Sequence, residues 1–351
     1  MSKEITMFTT EEIFDALFDR ATGGEGKERL FGALAKKENR SELHKKLYGR
    51  HFSLLFLEFP LAGAAGFDLH VIHDGADIRR GVPFPDEVYG GHGRLFSWFG
   101  SEDRGEDGLD VVYDLRERLD APPMVYLKRN DAKADEPDAF IADFFRALGD
   151  EGAAARYHEK RALLPDGWHT WYTGAHTGRK GKPLRIGSFL AEDLKNRYAK
   201  NIGLFEETLA AVGFPAPLSP AMREKLRELF NFPFPIDIQV DIMEDGRAGD
   251  TLGVSLTTGG VGRNALAASF ESGAARDVMR LWEEWGVADK RWKRIPDATF
   301  QVSTTLRSRE NARQRFVLSG GLGFLKVRFR GTGPFAYDAK GYITLKAIPQ
   351  P

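Results

Sequence analysis

Short runs of alternating apolar and polar residues occur in five pairs along this chain, and helical patterns separate the pairs. Each pair predicts a β-hairpin, because a period of two places successive side chains on opposite faces of a strand. The predicted hairpins cover residues 53–74, 110–130, 169–190, 236–258 and 324–346. Hairpin strands pair antiparallel, and the helices between them must cover one face of the sheet. The pattern predicts an α+β fold in which about ten antiparallel strands form a closed or nearly closed β-barrel with helices outside.

Apolar residues three and four positions apart predict the intervening helices. These helices are expected at residues 9–20, 27–48, 85–99, 137–148, 191–212, 219–230 and 272–285. Ser219 and Pro220 are residue types that favour the N-cap and the first position of a helix. No long linker divides the chain, so we expect residues 1–351 to form a single domain.

Composition and charge exclude several kinds of functional site and partner. The 351 residues include no cysteine, which excludes disulfides, thiolate metal sites and cysteine nucleophiles. The formal net charge is −1, so no overall positive charge favours nucleic acid. The chain shows neither a signal-peptide pattern nor an apolar run long enough to span a membrane. We therefore expect a cytoplasmic protein with no nucleic-acid or membrane partner.

The strand 236–242 places Asp237, Gln239 and Asp241 on the face opposite its apolar residues. Two interpretations remain open for this face. It is either the solvated side of a half-exposed hairpin, or part of a barrel interior where the carboxylates could bind a metal or a polar substrate.

The last hairpin has the opposite charge. Lys326, Arg328 and Lys346 alternate with apolar residues, and cross-strand neighbours on one face lie about 4.5–5.5 Å apart. Cations brought this close are tolerated in water or are stabilised by a bound anion such as phosphate. The face is therefore either an anion site or a solvated edge that discourages aggregation.

The first hairpin brings together groups that could transfer a proton. Glu58 interrupts an apolar strand, and Asp68 and His70 share one face of the next strand. A carboxylate or histidine held in a water-poor chamber can act as a general base, and burial would raise the pKa of such a carboxyl. Glu58 is the preferred base, although a surface position explains it equally well.

Part of the sequence resembles a known family. Trp171-Tyr172-Thr173-Gly174 and Pro183-Leu184-Arg185, followed by two helices and Ile236-Asp237-Ile238, resemble the prenyltransferase-barrel (ABBA-type) enzymes, and in particular the cyanobactin-type peptide prenyltransferases. The resemblance covers about residues 169–258. In that family ten antiparallel strands surround a solvent-filled active site. The chain departs from the family at Gln239 and Gly253, where basic residues are expected.

The resemblance implies a transferase that moves an isoprenyl group from an isoprenyl diphosphate to a peptide side chain or an aromatic small molecule. It implies that the diphosphate is held by Lys128, Arg185, Lys326, Arg328 and Lys346. Aromatic side chains would shield the allyl cation, namely Tyr126, Trp171 and Tyr342. The catalytic candidates are Glu58, Asp68 and His70. No cofactor is expected to be required, although Mg²⁺ could accompany the diphosphate.

Two other functions fit the same pattern. A noncatalytic protein could use the polar chamber to bind a peptide or a metabolite, and an open sheet with a solvated face would indicate a structural role. Cations that converge inside a closed barrel would favour the transferase.

Overall fold

The computed structural model describes most of the chain. It covers residues 10–23, 28–32, 40–47, 52, 54–80, 92–102, 107–116, 123–129, 138–176, 183–258, 273–307, 313–330 and 336–350.

The described residues contain eleven strands. They are β1 (Leu54–Pro60), β2 (Asp68–Asp74), β3 (Gly108–Tyr113), β4 (Met124–Lys128), β5 (Trp168–Ala175), β6 (Leu184–Leu190), β7 (Ile236–Ile242), β8 (Ala248–Thr257), β9 (Phe300–Arg307), β10 (Arg313–Arg330) and β11 (Ala336–Pro349).

The helices lie between these strands or precede them. They are α1 (Thr10–Thr22), α2 (Glu28–Phe31), α3 (Arg40–Leu47), α4 (Gly75–Arg80), α5 (Gly93–Gly100), α6 (Asp138–Leu148), α7 (Glu151–Arg161), α8 (Glu192–Lys200), α9 (Ile202–Ala211), α10 (Pro220–Phe230) and α11 (Ala274–Glu284), with a 3-10 helix at Lys290–Ala298.

The strands close into a ring. From β1 to β8, each strand pairs with the next one in chain order. Strand β8 then pairs with β10, β10 pairs with β11, and β11 pairs with β1, which closes the ring. Every one of these pairings is antiparallel. The remaining strand, β9, pairs with β10 outside the ring. The expected α+β barrel of ten antiparallel strands is therefore confirmed, with one additional strand.

The hydrophobic core lies between the outer face of the barrel and the helices. Strand residues such as Ile236, Val254 and Val327 belong to one buried cluster together with helix residues such as Phe14 and Trp282. The alternation that predicted the strands also decides their facing, because the apolar side chains meet the helices and the polar ones remain inside. None of the described helices is both long enough and apolar enough to cross a membrane.

All five predicted hairpins are present, but the sequence pattern did not predict β9 or the first half of β10. The strand β9 lies outside the closed ring, and its residues alternate between exposed and half-buried. Its run of Ser303, Thr304 and Thr305 lacks the strong apolar contrast that identifies the other strands.

Several predicted helices have different bounds. The helix expected at residues 27–48 was wrong as one element, because Gly32 adopts a φ of +71° after α2 and a second helix begins only at Arg40. The helix expected at 191–212 is divided at Asn201, whose side chain accepts a hydrogen bond from Gly203 N–H and caps α9. Residues 85–91 of the helix expected at 85–99 lie outside the described part of the chain, and α5 begins at Gly93. The patterns missed α7 and the 3-10 helix.

Aromatic rings lie over glycines on neighbouring strands of the barrel. Gly341 is paired with Phe59, and a Cβ atom on Gly341 would lie 2.5 Å from the ring carbon Cζ of Phe59. A similar close approach joins Gly187 to Tyr172, at 2.0 Å from Cε1. At these positions the aromatic ring fits because glycine has no side chain.

We expect Gly341→Ala to destabilise the protein by about 1–3 kcal/mol, because the added methyl group overlaps the Phe59 ring in a packed core. Denaturant unfolding measures the effect. The control is Gly249→Ala, where the nearest atom would be 3.5 Å from the new Cβ, an ordinary contact. Equal stability of the two variants would contradict this packing.

Candidate active site

The barrel encloses a cavity of about 100 Å³ lined by polar and aromatic side chains. Its charged members are five basic residues and four carboxylates, namely Lys128, Arg185, Lys326, Arg328, Lys340, Glu58, Asp110, Asp114 and Asp237. His70 also lines the cavity. These residues come from most of the barrel strands, so the closed ring brings together charges that are far apart in sequence.

One side of the cavity holds a chain of ion pairs centred on His70. The ring nitrogen Nε2 lies 3.3 Å from Glu58 Oε2, and Nδ1 lies 3.2 Å from Asp110 Oδ2. Lys128 Nζ lies 3.0 Å from the same Asp110 oxygen, and Lys340 pairs with Glu58. Each of these carboxylates therefore contacts two groups that can carry positive charge.

These contacts determine the protonation states of His70 and Glu58. Burial alone would lower the pKa of His70, but Asp110 and Glu58 outweigh burial and raise the pKa to about 9. Burial alone would raise the pKa of Glu58, but Lys340 and His70 hold it well below its usual range. At neutral pH the carboxylate of Glu58 is therefore ionised and His70 is protonated.

A second group of ion pairs lies on β6 and β7. Arg185 donates from Nε and Nη2 to the two oxygens of Asp241, at 2.7 and 2.9 Å, and from Nη1 to the hydroxyl of Tyr126 at 3.4 Å. The Tyr126 hydroxyl also lies 2.8 Å from Nε2 of His176. This bidentate pair fixes the guanidinium in a side wall of the cavity.

Lys326 lies among other cations. It is 6 % exposed and lines the cavity, yet none of the described residues forms a hydrogen bond or ion pair with it. Burial, together with the positive charges of Arg185, Lys340 and Arg328, lowers the pKa of Lys326 to about 7, against the opposing charge of Glu58. We call Arg185, Lys326, Arg328 and Lys340 the cation cluster.

Aromatic rings form the neighbouring wall. Trp171 is stacked between Phe189 and Phe324, with ring centroids 5.0 and 6.3 Å away. Tyr126 meets Tyr172 edge to face at 5.7 Å. Tyr342 packs edge-on against Phe324 and His70. Lys128 Nζ lies 4.7 Å from the Phe56 ring centroid, so the rings present their faces to positive charge.

The acidic hairpin also faces the interior. The Asp237 carboxylate accepts hydrogen bonds from Trp171 Nε1 at 3.0 Å and from Gln239 Nε2 at 2.8 Å. Gln239 Nε2 lies at the same distance from Ser255 Oγ. Burial raises the pKa of Asp237 against the lowering effect of these donors. Of the two interpretations of this strand, the structure shows the barrel interior.

Most of the residues predicted from sequence line the cavity. They are Glu58, His70, Tyr126, Lys128, Trp171, Arg185, Lys326, Arg328 and Tyr342. Asp68 does not line it, because its carboxylate is held by Arg116, with Nε 2.8 Å from Oδ2. Lys346 is half-buried and also lies outside the cavity lining. It was expected to converge with Lys326 and Arg328, and it does not.

One of the carboxylates Glu58 and Asp68 was expected to have a raised pKa. Burial raises the pKa of Asp68 against the lowering effect of Arg116. Burial would also raise the pKa of Glu58, the preferred base, but Lys340 holds it well below its usual range from a strand far along the sequence. The cavity is also lined by residues that were not predicted from the sequence, among them Asp110, Tyr172, Phe324 and Lys340. Asp110 carried a usable signal, because it interrupts the apolar strand β3 as Glu58 interrupts β1.

The described residues offer no cluster of three or more carboxylates or histidines that could hold a metal ion. The carboxylates of the cavity are paired with cations instead, as in Glu58 with Lys340 and Asp241 with Arg185. This arrangement does not fit a protein-held Mg²⁺ site.

The fold is similar to that of a solved prenyltransferase. The apo form of the prenyltransferase PriB matches with a TM-score of 0.51 and 14 % sequence identity, over 96 % of each chain. A ternary complex of PriB with L-tryptophan and dimethylallyl thiolodiphosphate has a TM-score of 0.47, the same identity and the same coverage. No protein-family model and no curated protein matches the sequence. The resemblance to the prenyltransferase barrel is thus confirmed for the fold.

We expect Lys326→Met to stabilise the protein at pH 7 and below, by an amount on the order of a few kcal/mol. The pKa of Lys326 is lowered from 10.5 to about 7 by folding, so the unfolded chain binds more protons between these values. The contribution of Lys326 to the stability of the wild type therefore rises with pH across this window, and the advantage of the variant shrinks toward pH 10.5. Thermal or denaturant unfolding at several pH values measures the difference. An advantage that does not change with pH would contradict the buried, uncompensated position of Lys326.

Proposed function

We propose that this protein transfers an isoprenyl group from an isoprenyl diphosphate to an aromatic acceptor, which is either a small molecule or a side chain of a peptide. The observation that carries the proposal is the cation cluster beside an aromatic wall, inside the closed barrel. Cations alone would suit many anions, and aromatic rings alone would suit many apolar ligands. Their combination fits a ligand with a diphosphate head and an allylic chain.

The cation cluster would bind the diphosphate. Burial and the neighbouring cations lower the pKa of Lys326 more than Glu58 raises it, and a bound diphosphate would reverse this by supplying negative charge. Arg328 could contribute a planar fork suited to phosphate oxygens. It is held by Asp338, with Nε 2.6 Å from Oδ1, at a position that is partly open to solvent. Donor binding would thus be accompanied by proton uptake near neutral pH.

The aromatic wall would protect the reactive carbon chain. When the bond between the allylic carbon and the diphosphate oxygen breaks, the electron pair leaves with the diphosphate and an allyl cation remains. The faces of Trp171, Tyr126 and Tyr342 would stabilise this positive charge while they exclude water. The π electrons of the acceptor then form the new carbon–carbon bond, which places the positive charge on the acceptor ring.

Glu58 would remove the proton that restores the aromatic ring. Its pKa is held low, so the group is a weak base, but a protonated aromatic intermediate is a strong acid and transfers its proton readily. The ionised carboxylate also stabilises positive charge on the acceptor before the proton leaves. The protonated His70, which contacts the same carboxylate, would keep Glu58 ionised and able to accept this proton.

A noncatalytic binding protein is the alternative, and one observation favours it. Most cations of the cavity are already paired with carboxylates, as in Arg185 with Asp241, Arg328 with Asp338, Lys128 with Asp110 and Lys340 with Glu58. A diphosphate must compete with these pairs, whereas a neutral polar ligand need not. Binding of dimethylallyl diphosphate followed by mass spectrometry of an acceptor panel separates the two functions. Binding of a ligand without any product would support the alternative.

Arg328→Gln should weaken the binding of inorganic pyrophosphate by about 1.5–3 kcal/mol, the range for a charge-assisted hydrogen bond. This corresponds to a dissociation constant raised on the order of 10- to 100-fold. Isothermal titration calorimetry measures the change. Arg197→Gln removes an exposed arginine from α8 and serves as the control for net charge. Unchanged affinity in Arg328→Gln would remove this residue from the diphosphate site.

Glu58→Gln should retain the fold and the binding of dimethylallyl diphosphate, while transfer to the acceptor falls by the ~10²–10⁴-fold typical of a lost general base. Single-turnover product formation, measured by mass spectrometry, isolates the chemical step. Circular dichroism and pyrophosphate titration serve as the controls for folding and for donor binding. Turnover equal to that of the wild type would show that another group accepts the proton.

A further inference from the structure

The interior face of the barrel continues beyond the ring onto a sheet surface formed by β9 and the adjoining ends of β10 and β11. We call this surface the basic platform and define it by Thr305, Arg307, Arg313, Arg315, Lys346 and Ile348. We propose that the basic platform binds an acidic segment of a peptide and leads a linked acceptor side chain toward the cavity. The guidance of an acceptor rests on the proposed function, whereas the binding of the peptide does not.

The continuity follows from the strand register. On β11 the side chains of Tyr342, Lys346 and Ile348 share one face, and Tyr342 lines the cavity. On β10 the cavity residues Phe324 and Lys326 are even-numbered, but a bulge between Leu322 and Phe324 shifts the facing by one residue. Odd-numbered residues beyond the bulge therefore continue the interior face.

The register across the three strands confirms which residues share this surface. Ser319 is paired with Lys346 on β11, and Arg315 is paired with Thr305 on β9. Arg307 and Arg313 are paired directly with each other. All four platform residues of β9 and β10 are exposed, and Ile348 is 42 % exposed. The surface that starts in the cavity therefore ends as an open face in solvent.

The basic platform brings like charges together. Like charges directly opposite each other destabilise a sheet, yet Arg307 faces Arg313. None of the described residues forms an ion pair with Arg307, Arg313, Arg315 or Lys346. The sequence between residues 307 and 315 contains four arginines and one glutamate. An anionic partner bound at the platform would relieve the repulsion between these arginines. The carboxylates of the cavity lie too far from the platform to do so.

The opposite face of the platform explains why it can hold this charge. Phe316 and Leu318 are 1 % exposed and belong to the main hydrophobic core, and Phe300, Val302 and Leu306 pack against the core. Helix α1 contacts β9, β10 and β11 on this side. The arginines therefore project from a sheet that is anchored by apolar packing, so binding of a partner need not order the sheet.

The chemistry of the surface favours a peptide over other anions. Beside its arginines the same face of β9 carries the exposed residues Gln301, Ser303 and Thr305, which suit an extended peptide. It offers few apolar side chains that could enter a lipid surface. It presents no exposed aromatic side chain on which nucleic-acid bases could stack. The partner that fits is an extended segment rich in aspartate or glutamate.

The length of β10 sets the spacing between the acidic segment and the acceptor. Phe324 lies nine positions after Arg315 on β10, and a strand rises about 3.3 Å per residue, so the two lie roughly 30 Å apart. An extended peptide spans this distance with about nine residues. The acceptor residue should therefore lie about nine positions from the acidic segment.

The test uses a fluorescein-labelled peptide with a run of glutamates, a glycine–serine spacer of about nine residues and a terminal tryptophan. Fluorescence anisotropy measures its binding to the full chain. We expect binding at low salt that weakens as salt is added, because exposed charges are screened. The same peptide with glutamines in place of the glutamates should bind much more weakly. Equal binding of the two peptides, or stronger binding to phosphatidylserine vesicles than to the glutamate peptide, would overturn the proposal.

The variant Arg307→Gln, Arg313→Gln, Arg315→Gln should bind the glutamate peptide roughly tenfold more weakly, as expected for the loss of exposed ion pairs. The variant Arg197→Gln, Lys200→Gln, Arg227→Gln makes the same change of charge at exposed positions on α8 and α10, and it should bind as the wild type does. Equal losses in both variants would show a nonspecific charge effect and overturn the proposal.

Pyrophosphate titration and transfer to free tryptophan separate this inference from the proposed function. Both should be unchanged in the platform variant, since the cation cluster and Glu58 are intact. Absence of transfer in every protein, together with selective peptide binding, would reject the transferase and retain the basic platform. Normal transfer without any selectivity for the glutamate peptide would retain the transferase and reject the basic platform.

Discussion

Burial of positive charge inside a closed sheet is the constraint on which the rest of this structure depends. Once ten strands form a ring, every second side chain faces a space with little water, and a lone cation there is costly. The chain meets this cost by pairing, as in Arg185 with Asp241 and Lys340 with Glu58. Lys326 is the exception among the described residues, and it loses its proton more easily instead. The acidic face of β7 can therefore be understood as the counter-charge of the cation cluster.

This charge balance also explains why the chain departs from the expected basic residue at position 239. Gln239 is held by Asp237 and Ser255, and the three form a neutral or acidic wall beside Trp171. A further cation on this wall would add to the repulsion that already lowers the pKa of Lys326. In the ring, β7 and β8 carry this wall and lie between β6, which carries Arg185, and β10, which carries Lys326 and Arg328. The wall therefore separates cations that would otherwise lie on neighbouring strands.

The sequence predicted what depends on neighbouring residues and missed what depends on distant ones. Alternation identified all five hairpins and placed Lys326 and Arg328 on the face opposite the apolar residues of their strand, because strand facing is a local property. The pKa of Glu58 could not be predicted in this way, since its partner Lys340 lies on a strand that meets β1 only when the ring closes. Asn201 shows the same limit for helices, because one residue that leaves the helical conformation divides an apolar stripe that otherwise continues.

The bulge before Phe324 shows how one residue decides what a charged face does. Without it, Lys326 and Arg328 would project on the same side as the buried residues Phe316 and Leu318, and a cation would have to enter the apolar core. With the bulge, β10 meets two requirements. Its apolar residues pack against α1 and the outer helices along the whole strand. Its cations face the cavity at one end and solvent at the other. The alternation along β10 is thus not one pattern but two, joined at Gly323. Lys346 lies near this junction on the neighbouring strand, which is why its sequence pattern resembles that of the cavity cations although it lies outside the cavity.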